Sequence, residues 1–328
     1  GAAHAGARLI LEAIRMRVLF FGLGSIGLRH ARLLHEQGAH ALLAFRSRQH
    51  LGNDLGIPEL TAWEEVDALQ PDVAFITNPT NLHVETAQRC AERGMHLFIE
   101  KPFSNTLEGL EELDEACVAR GLTTYVAYCL RFHPVIKAMR EALEGKRILH
   151  VRATVSSYLP DWRPGRDHLQ SYSASTAMGG GVLLDLSHEF DYLSYLFGAL
   201  AAVEGWCGRV GEVTVDAEDA ADMILRTQSG IPINLHMNVM SRKSERWVLA
   251  DTEDGYVYGD LLGNRMEILR GGQRSEVTFA IERDDYFREQ LAYFFANIGN
   301  PDIMNNLKEA SALLRTLLVF KEMAYRAT

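Results

Sequence analysis

The sequence is poor in the features that mark membrane and nucleic-acid-binding proteins. No uninterrupted apolar run reaches the length that a membrane-spanning helix needs. Lys and Arg number 33 against 43 Asp and Glu, a formal net charge of −10, and no basic stripe interrupts this acidic balance. Such a chain favours neither nucleic acid nor an anionic membrane as its partner.

Cysteine is scarce, and its spacing fits neither a disulfide framework nor a metal site. The four cysteines, at positions 90, 117, 129 and 207, form no Cys-x-x-Cys pair and accompany no histidine cluster at metal-ligand spacing. Scattered thiols are typical of a reducing compartment. Residues 1–15 lack the long apolar core of a secretory signal, and we interpret them as an extended start or a cloning remnant. We therefore expect a soluble, cytoplasmic protein without a metal.

The first half of the chain alternates between continuous apolar runs and helical segments. The apolar runs at 41–45, 73–76 and 96–99 are separated by stretches of helical character that end at glycine. Continuous apolar strands separated by helices predict a parallel sheet covered on both faces. Because the crossovers of such sheets are right-handed, we predict a doubly wound Rossmann domain over residues 16–133.

The pattern changes beyond residue 134. The segments 150–155, 221–226 and 233–237 alternate apolar with polar residues, as half-buried strands do, and 307–326 has the periodicity of an amphipathic helix. We therefore predict an α/β fold class: the Rossmann sheet, followed over 134–328 by an α+β domain with a large, open, mainly antiparallel sheet.

Residues 22–27 read Gly-Leu-Gly-Ser-Ile-Gly, a GxGxxG pattern between a strand and a helix. In a dinucleotide fingerprint the first glycine permits the turn, the second lets the backbone approach the pyrophosphate, and the third lets helix and strand pack closely. The helix N-terminus then offers N–H groups to the phosphates. This pattern predicts a phosphate cradle at Gly22, Gly24 and Gly27, with Ser25 and Ile26 in the first helical turn.

The end of the second strand lacks the acidic residue that binds the ribose 2′-hydroxyl of NAD. It reads Arg46-Ser47-Arg48, a group of donors that suits a 2′-phosphate. NADP is therefore favoured over NAD. The alternative is that both arginines are solvated loop charges, with Arg46 stacking on the adenine.

Four further motifs follow in order along the chain. They are Asn-Pro-Thr-Asn-Leu-His at 78–83, Glu-Lys-Pro at 100–102, Arg-Phe-His-Pro at 131–134, and Gly-Gly-Gly-Val-Leu-Leu-Asp-Leu-Ser-His at 179–188. With the glycine motif, this combination resembles the glucose–fructose oxidoreductase and inositol dehydrogenase (Gfo/Idh/MocA) family from about Met16 onward. The resemblance implies that the second domain binds substrate and that the protein is a homo-oligomer, a dimer or tetramer.

The resemblance also implies residue roles. Lys101, Asp185 and His188 match the family's catalytic Lys, Asp and His, although two residues rather than the usual three separate Asp185 from His188. Oxidising an alcohol requires a base for the hydroxyl proton, which suits His188, and a cation beside the oxygen, which suits Lys101. If 185–191 is one helix, Asp185, His188 and Asp191 share a face. The alternative for Asp185 and His188 is a helix cap and a core histidine.

Two sets of contacts complete the prediction. The predicted dinucleotide contacts are Gly22, Gly24, Ser25, Ile26, Gly27, Arg46, Ser47, Arg48, Asn78, Pro79, Thr80, His83, Glu100, Lys101 and Arg131. The predicted substrate contacts are Lys101, Tyr158, Trp162, Arg163, His168, Tyr172, Asp185 and His188. The segment from Tyr158 to Tyr172 mixes aromatic, charged and hydroxyl side chains, which suits a sugar; an ordered loop at a subunit contact is the alternative.

These observations predict an NAD(P)-dependent dehydrogenase or reductase. It transfers hydride between the nicotinamide and a hydroxyl or keto carbon of a sugar, sugar derivative or cyclitol. Two alternatives stay open at this stage: an enzyme that keeps its dinucleotide permanently bound and reoxidises it within one turnover, and a non-catalytic dinucleotide-sensing protein. Sensing would require neither Lys101 nor His188.

Overall fold

The computed structural model describes residues 16–46, 52–165 and 167–326. Within these ranges the strands are β1 Arg17–Phe21, β2 Ala41–Phe45, β3 Glu59–Leu60, β4 Val73–Ile76, β5 His96–Ile99, β6 Thr124–Val126, β7 Ile148–Tyr158, β8 Leu200–Gly208, β9 Ala220–Thr227, β10 Pro232–Asn238, β11 Met240–Thr252, β12 Gly255–Asp260, β13 Arg265–Arg270 and β14 Gln273–Thr278. The helices are α1 Ser25–Gln37, α2 Trp63–Leu69, α3 His83–Glu92, α4 Leu110–Ala119, α5 Pro134–Leu143, α6 Val182–Asp185, α7 His188–Phe197, α8 Arg283–Ala296 and α9 Leu307–Arg326.

The first sheet has six strands in the order β3-β2-β1-β4-β5-β6, and all of its neighbouring strands are parallel. This confirms the predicted doubly wound Rossmann sheet. β1 pairs with β2 on one side and with β4 on the other, so the strand order reverses there. In open α/β sheets, ligands bind beyond the carboxyl ends of the strands at such a switch point.

Aromatic side chains on adjacent strands form the centre of the first core. Phe75 on β4 lies between Phe20 on β1 and Phe98 on β5, with ring centroids 4.8 and 4.3 Å away. Phe294, from the end of α8, packs edge-on against Phe98 at 5.3 Å. Residues far along the chain therefore complete this core.

The second sheet has eight strands in the order β14-β13-β12-β11-β7-β10-β9-β8. Its neighbours are antiparallel except for the parallel pair β7 and β10, so the sheet is mixed but mainly antiparallel, as predicted. Apolar residues of α5, α6, α7 and α9 share one buried cluster with the inward residues of the sheet. On β9, buried and exposed residues alternate, as expected for a strand with one covered face.

By their internal contacts, the residues form two compact units. The first comprises the chain as far as Phe103, with Glu108–Ala127 and Tyr293–Lys308; the second comprises Ser104–Leu107, Tyr128–Ala292 and the chain from Glu309 onward. The predicted boundary between 133 and 134 stays a prediction. In the described part of the chain, no helix is both long enough and apolar enough to cross a membrane.

Candidate active site

The phosphate loop follows β1 at the switch point of the first sheet. Gly22 has a φ of 97°, and a Cβ there would lie 2.9 Å from the carbonyl oxygen of Thr77. A Cβ on Gly27 would lie 2.2 Å from the Gly22 oxygen. By contrast, a Cβ on Gly24 would meet nothing within 4 Å. The loop is therefore closed on its protein side and open at Gly24, which fits the approach of a pyrophosphate.

The first turn of α1 begins beside this opening. Gly24 is the N-cap residue and provides no side-chain cap, and the first turn carries no acidic residue. Gly24 and Ser25 are exposed, and Ile26 is half-buried. The backbone N–H groups at this helix start therefore suit an anionic ligand, which agrees with the predicted phosphate cradle.

Thr77, which the sequence motifs did not single out, ties the phosphate loop to β4. Its backbone N–H donates to the Phe21 oxygen at 3.0 Å, and its hydroxyl donates to the Gly22 oxygen at 2.6 Å. A hydroxyl at a strand end directly before Asn78 is the signal that could have identified it. Thr77 positions the loop without offering a group to a ligand.

Asn78, Pro79, Thr80 and His83 lie after β4, where the prediction placed dinucleotide contacts. His83 is buried; its Nε2 lies 2.9 Å from the Asn78 carbonyl oxygen, and its Nδ1 lies 3.1 Å from that of Pro102. Burial lowers the pKa of His83. The Asn78 side-chain amide donates to the Thr86 hydroxyl at 2.9 Å. Pro79 is exposed, Thr80 is buried, and both begin the short turn that leads into α3. The contacts of His83 favour a structural role, tying the segment after β4 to the segment after β5.

Glu100-Lys101-Pro102 follows β5, and its acidic residue points inward. The Glu100 carboxylate lies 2.6 Å from His30 Nε2 on α1 and accepts the Lys101 backbone N–H at 3.1 Å. His30 is fully buried, whereas Lys101 is half-buried. The Lys101–Pro102 peptide bond is cis. Glu100 therefore connects the segment that carries Lys101 to the helix that starts at the phosphate loop.

Arg46 follows β2 and is half-buried; its backbone N–H donates to the Leu60 oxygen at 2.9 Å. Ser47 and Arg48 lie outside the described residues. The position of Arg46 after β2 is the one at which Rossmann domains recognise the adenosine ribose.

Arg131 belongs to the second unit and is engaged by two carboxylates. Its guanidinium donates to Asp191 from Nε at 3.0 Å and from Nη2 at 2.7 Å, and Nη2 also donates to Glu309 at 2.7 Å. Arg131 and Asp191 are buried, and burial raises the pKa of Asp191 against the opposing effect of Arg131. This pairing favours a structural role for Arg131 over the predicted dinucleotide contact.

The segment that carries Asp185 and His188 is not one helix. α6 ends at Asp185 and α7 begins at His188, so the single helix over 185–191, on which a shared face of Asp185, His188 and Asp191 depended, does not form. The reason is that Leu186, with a φ of −101° and a ψ of 27°, leaves regular helical geometry between the two. Asp185 is buried, His188 is half-buried, and Asp191 is occupied by Arg131.

His188 packs against an aromatic residue that the sequence motifs did not indicate. The rings of Tyr128 and His188 are 5.6 Å apart at 80°. Tyr128 is buried, and that burial raises the pKa of its hydroxyl, as does the nearby Asp191 carboxylate. Tyr128 therefore fixes one side of the His188 ring, and its hydroxyl stays protonated at neutral pH.

The segment after β7 encloses a cavity of about 340 Å³. Its lining includes Trp162, Arg163, His168, Gln170 and Ser173. The Trp162 indole N–H donates to the Ser157 hydroxyl at 3.1 Å, which orients the ring. A fixed aromatic face with polar neighbours is suited to a small polar ligand.

Two other predicted substrate residues lie in or beside this segment. The Tyr158 hydroxyl accepts a hydrogen bond from Arg242 at 3.0 Å, and the Arg242 guanidinium also lies over the Tyr158 ring at 4.2 Å. Tyr158 therefore already has a protein partner. The side chain of Tyr172 lies outside the described residues. Among the described side chains, no group of three His, Cys, Asp or Glu residues could hold a metal ion.

A parallel Rossmann sheet with an open glycine loop at its switch point is the arrangement of a dinucleotide-binding domain. The model of the "Oxidoreductase family, NAD-binding Rossmann fold" matches residues 16–128, and that of the "GFO/IDH/MocA C-terminal domain" matches 136–262. This chain belongs to the Gfo/Idh/MocA family, a family of NAD(P)-dependent oxidoreductases.

Similar proteins include dehydrogenases of cyclitols and sugars. The myo-inositol 2-dehydrogenase of Thermotoga maritima is 25% identical, over 91% of this chain and 93% of the relative. The NADP-dependent D-xylose 1-dehydrogenase 2 of Haloferax volcanii is 27% identical, over 92% and 95%. Among solved structures, levoglucosan dehydrogenase in complex with NADH and levoglucosan has a TM-score of 0.84 at 18% identity, covering 96% of this chain and 98% of that one. That structural similarity shows the fold.

Proposed function

We propose that this enzyme transfers hydride between the nicotinamide of NAD(P) and a hydroxyl or keto carbon of a sugar, sugar derivative or cyclitol. The observation that carries the proposal is the phosphate loop at the switch point, in a chain that belongs to an oxidoreductase family. The dehydrogenases named among its relatives act on myo-inositol and D-xylose, which supports a polyol substrate.

Each candidate catalytic residue has a separate role. The bound nicotinamide supplies the hydride acceptor or donor. His188 takes the hydroxyl proton when an alcohol is oxidised and returns it when a ketone is reduced. Lys101 donates a hydrogen bond to the reacting oxygen and stabilises the negative charge that develops there. Asp185, buried three residues before His188, supplies a carboxylate that orients the substrate hydroxyl.

The cavity after β7 supports a sugar as the substrate. Sugars present an apolar ring face and a rim of hydroxyl groups, and the cavity offers one anchored indole beside amide, hydroxyl, guanidinium and carboxylate side chains. Its volume of about 340 Å³ lies within the range of small-molecule sites. Trp162 therefore stacks on the ring, and Arg163 and His168 bond to its substituents.

We further propose that NADP is preferred over NAD. Arg46 stands where an NAD-specific Rossmann domain carries an acidic residue, so a 2′-phosphate meets a cation there instead of a carboxylate. The relatives include both an NADP-dependent and an NAD-dependent enzyme. The preference therefore has to be measured on this chain.

A panel assay tests the proposed reaction. The enzyme is incubated with NADP or NAD and with myo-inositol, D-xylose, levoglucosan or UDP-N-acetylglucosamine, and the ultraviolet absorbance of reduced nicotinamide is followed. We expect one compound to reduce the dinucleotide, with kcat lowered about 100-fold or more in Lys101→Met and in His188→Asn. Lys137→Met, on the exposed surface of α5, is the matched control. Wild-type kcat in both active-site variants would refute the assigned roles.

A further inference from the structure

The glycine segment Gly179–Gly181, which precedes Asp185 and His188, rests on a buried carboxylate. Gly181 has a φ of 116°, which favours glycine. A Cβ on Gly181 would lie 2.4 Å from one carboxylate oxygen of Glu218 and 2.7 Å from the other. The Glu218 carboxylate thus packs directly against the backbone of the segment.

Glu218 also holds the start of α6. Its carbonyl oxygen accepts the backbone N–H of Val182 at 2.9 Å, and Val182 is the first residue of α6. The Gly181 oxygen in turn accepts the N–H of Asp185 at 2.9 Å. Glu218 therefore fixes both the glycine before α6 and the start of α6, which ends at Asp185, three residues before α7 begins.

Lys321 on α9 neutralises this carboxylate. Its ammonium lies 3.0 Å from Glu218 Oε2; the Glu218 side chain is fully buried, and that of Lys321 is 13% exposed. A fully buried carboxylate is costly to maintain without a cation, so the ion pair with Lys321 ties Glu218 to α9.

Asp219, the residue after Glu218, anchors the backbone beside it. The Asp219 carboxylate, fully buried, accepts the backbone N–H groups of Val210 and Gly211 at 2.8 Å each. The Asp219 carbonyl oxygen also accepts the N–H of Val239. The hydrogen bonds of Asp219 and the ion pair with Lys321 thus hold Glu218 against the glycine segment.

We propose that Glu218 and Lys321 are positioning residues, which lock the glycine segment and thereby set the placement of Asp185 and His188. This inference rests on the proposed function only in taking Asp185 and His188 as catalytic residues. The pair acts by packing, because the Glu218 carboxylate fills the space that a side chain at position 181 would need. The ion pair with Lys321 keeps the carboxylate in that space.

The test compares variants that keep the side-chain volume beside Gly181 with variants that remove it. Glu218→Gln with Lys321→Met removes both charges at nearly constant volume, whereas Glu218→Ala with Lys321→Ala opens the space beside Gly181. The matched control is Lys146→Met with Asp254→Asn. It removes an ion pair between a lysine and an aspartate of the β11–β12 turn, away from the glycine segment. Glu218→Asp is the milder variant should the alanine pair fail to fold.

We expect the shape-preserving pair and the control to keep kcat within about threefold of wild type. The alanine pair, or Glu218→Asp, should lower kcat about 10- to 100-fold, because small misplacements of catalytic groups have effects of that size. The Kd for the dinucleotide should not change, since the phosphate loop belongs to the other unit. A purely structural role would instead lower stability without this selective loss of kcat.

A second readout does not depend on turnover. The NMR signals of the His188 ring, assigned with His188→Asn, should shift in the alanine pair or Glu218→Asp and remain in place in the shape-preserving pair. If no panel compound is oxidised but these signals shift as expected, the proposed function fails and the positioning role stands. A folded alanine pair with unshifted His188 signals would overturn the positioning role.

Discussion

At the phosphate loop, close contacts between backbone atoms explain why glycine occupies two positions. Gly22 and Gly27 have no space for a Cβ, and Thr77 closes the loop with a hydroxyl hydrogen bond. The glycines could be predicted from their spacing, because each has a known geometric task. The hydrogen bond of Thr77 could not, because its partner at Gly22 lies 55 residues away in the sequence.

Thr77→Val should weaken dinucleotide binding. The change keeps the side-chain volume but removes the donor to the Gly22 oxygen, which loosens the loop that holds the pyrophosphate. We expect a cost of about 1 kcal/mol, or roughly a fivefold rise in Kd, measured by calorimetric titration. Thr316→Val on α9, whose hydroxyl bonds to the Ala312 oxygen within the helix, is the control. An unchanged Kd in a folded Thr77→Val protein would show that the loop does not need this bond.

Arg46→Gln should separate the two dinucleotides. A charge-assisted hydrogen bond to a 2′-phosphate is worth about 1.5–3 kcal/mol, so Kd for NADP should rise about 10- to 100-fold. Kd for NAD, which has no 2′-phosphate, should stay within about twofold. Arg32→Gln, on the exposed side of α1, provides the control. Equal losses for both dinucleotides would make Arg46 an adenine or ribose contact, which is the alternative left open by the sequence.

Elements of this protein were predictable where their sequence has a clear apolar pattern. The strands β2, β4 and β5 and the helix α9 have the bounds that their apolar patterns predict. The two-residue β3 and the exposed edge strand β14 have no such pattern. The parallel pairing of β7 with β10 and the break between α6 and α7 depend on contacts distant in sequence, so periodicity alone could not predict them.

α7 is held at its first turn by buried ion pairs. Arg246 contacts the fully buried Glu189 at 2.8 Å, and Arg131 contacts Asp191. These partners lie far apart in the sequence, so the motif at 131–134 does not reveal them.

Arg131→Met should reduce stability more than dinucleotide binding. It leaves the buried Asp191 without its closest cation, and breaking a buried pair typically costs about 3–5 kcal/mol. Denaturant unfolding measures this change. The control is Arg140→Met, which removes the other guanidinium over the Tyr195 ring from an exposed position. Unchanged stability together with a weakened dinucleotide Kd would restore Arg131 to the predicted cofactor site.

His133 is expected to make the stability of the protein depend on pH. It is the N-cap residue, its Nδ1 accepts the Val135 N–H at 3.3 Å, and burial lowers its pKa to about 4. The folded protein therefore favours the neutral ring, which is also the form that can accept this bond. Stability from this group is complete above the unfolded-state pKa of 6.5 and is lost as the pH falls from 6.5 towards 4.

His133→Asn should flatten that pH dependence. Asparagine caps helices well and does not titrate, so the variant keeps an acceptor for Val135. We expect the wild type to lose about 2 kcal/mol more than the variant between pH 7.5 and pH 5, by denaturant unfolding at each pH. The pKa values of His40, His83 and His96 are also lowered by burial, but they are common to both proteins. Parallel pH profiles would mean that His133 is protonated at no cost in the folded state.

At the scale of the whole molecule, the chain combines a dinucleotide unit with a unit that carries its own candidate catalytic pair. The fold class and the order of motifs were predictable because each motif lies at a strand end or helix start with a defined task. The protein partners of the motif residues were less predictable. His83, Glu100 and Arg131 have the sequence positions of ligand contacts but are buried against protein partners.

The most direct test of this account is a dinucleotide titration. Any dinucleotide carried through purification is identified after denaturing part of the sample, and the rest is stripped and titrated with NADP and NAD by calorimetry. The account predicts saturable binding at one site per chain, tighter for NADP. Preference for NAD would refute the role of Arg46 but leave the oxidoreductase assignment intact. Failure of the folded protein to bind either dinucleotide would contradict the central claim that this chain is an NAD(P)-dependent oxidoreductase.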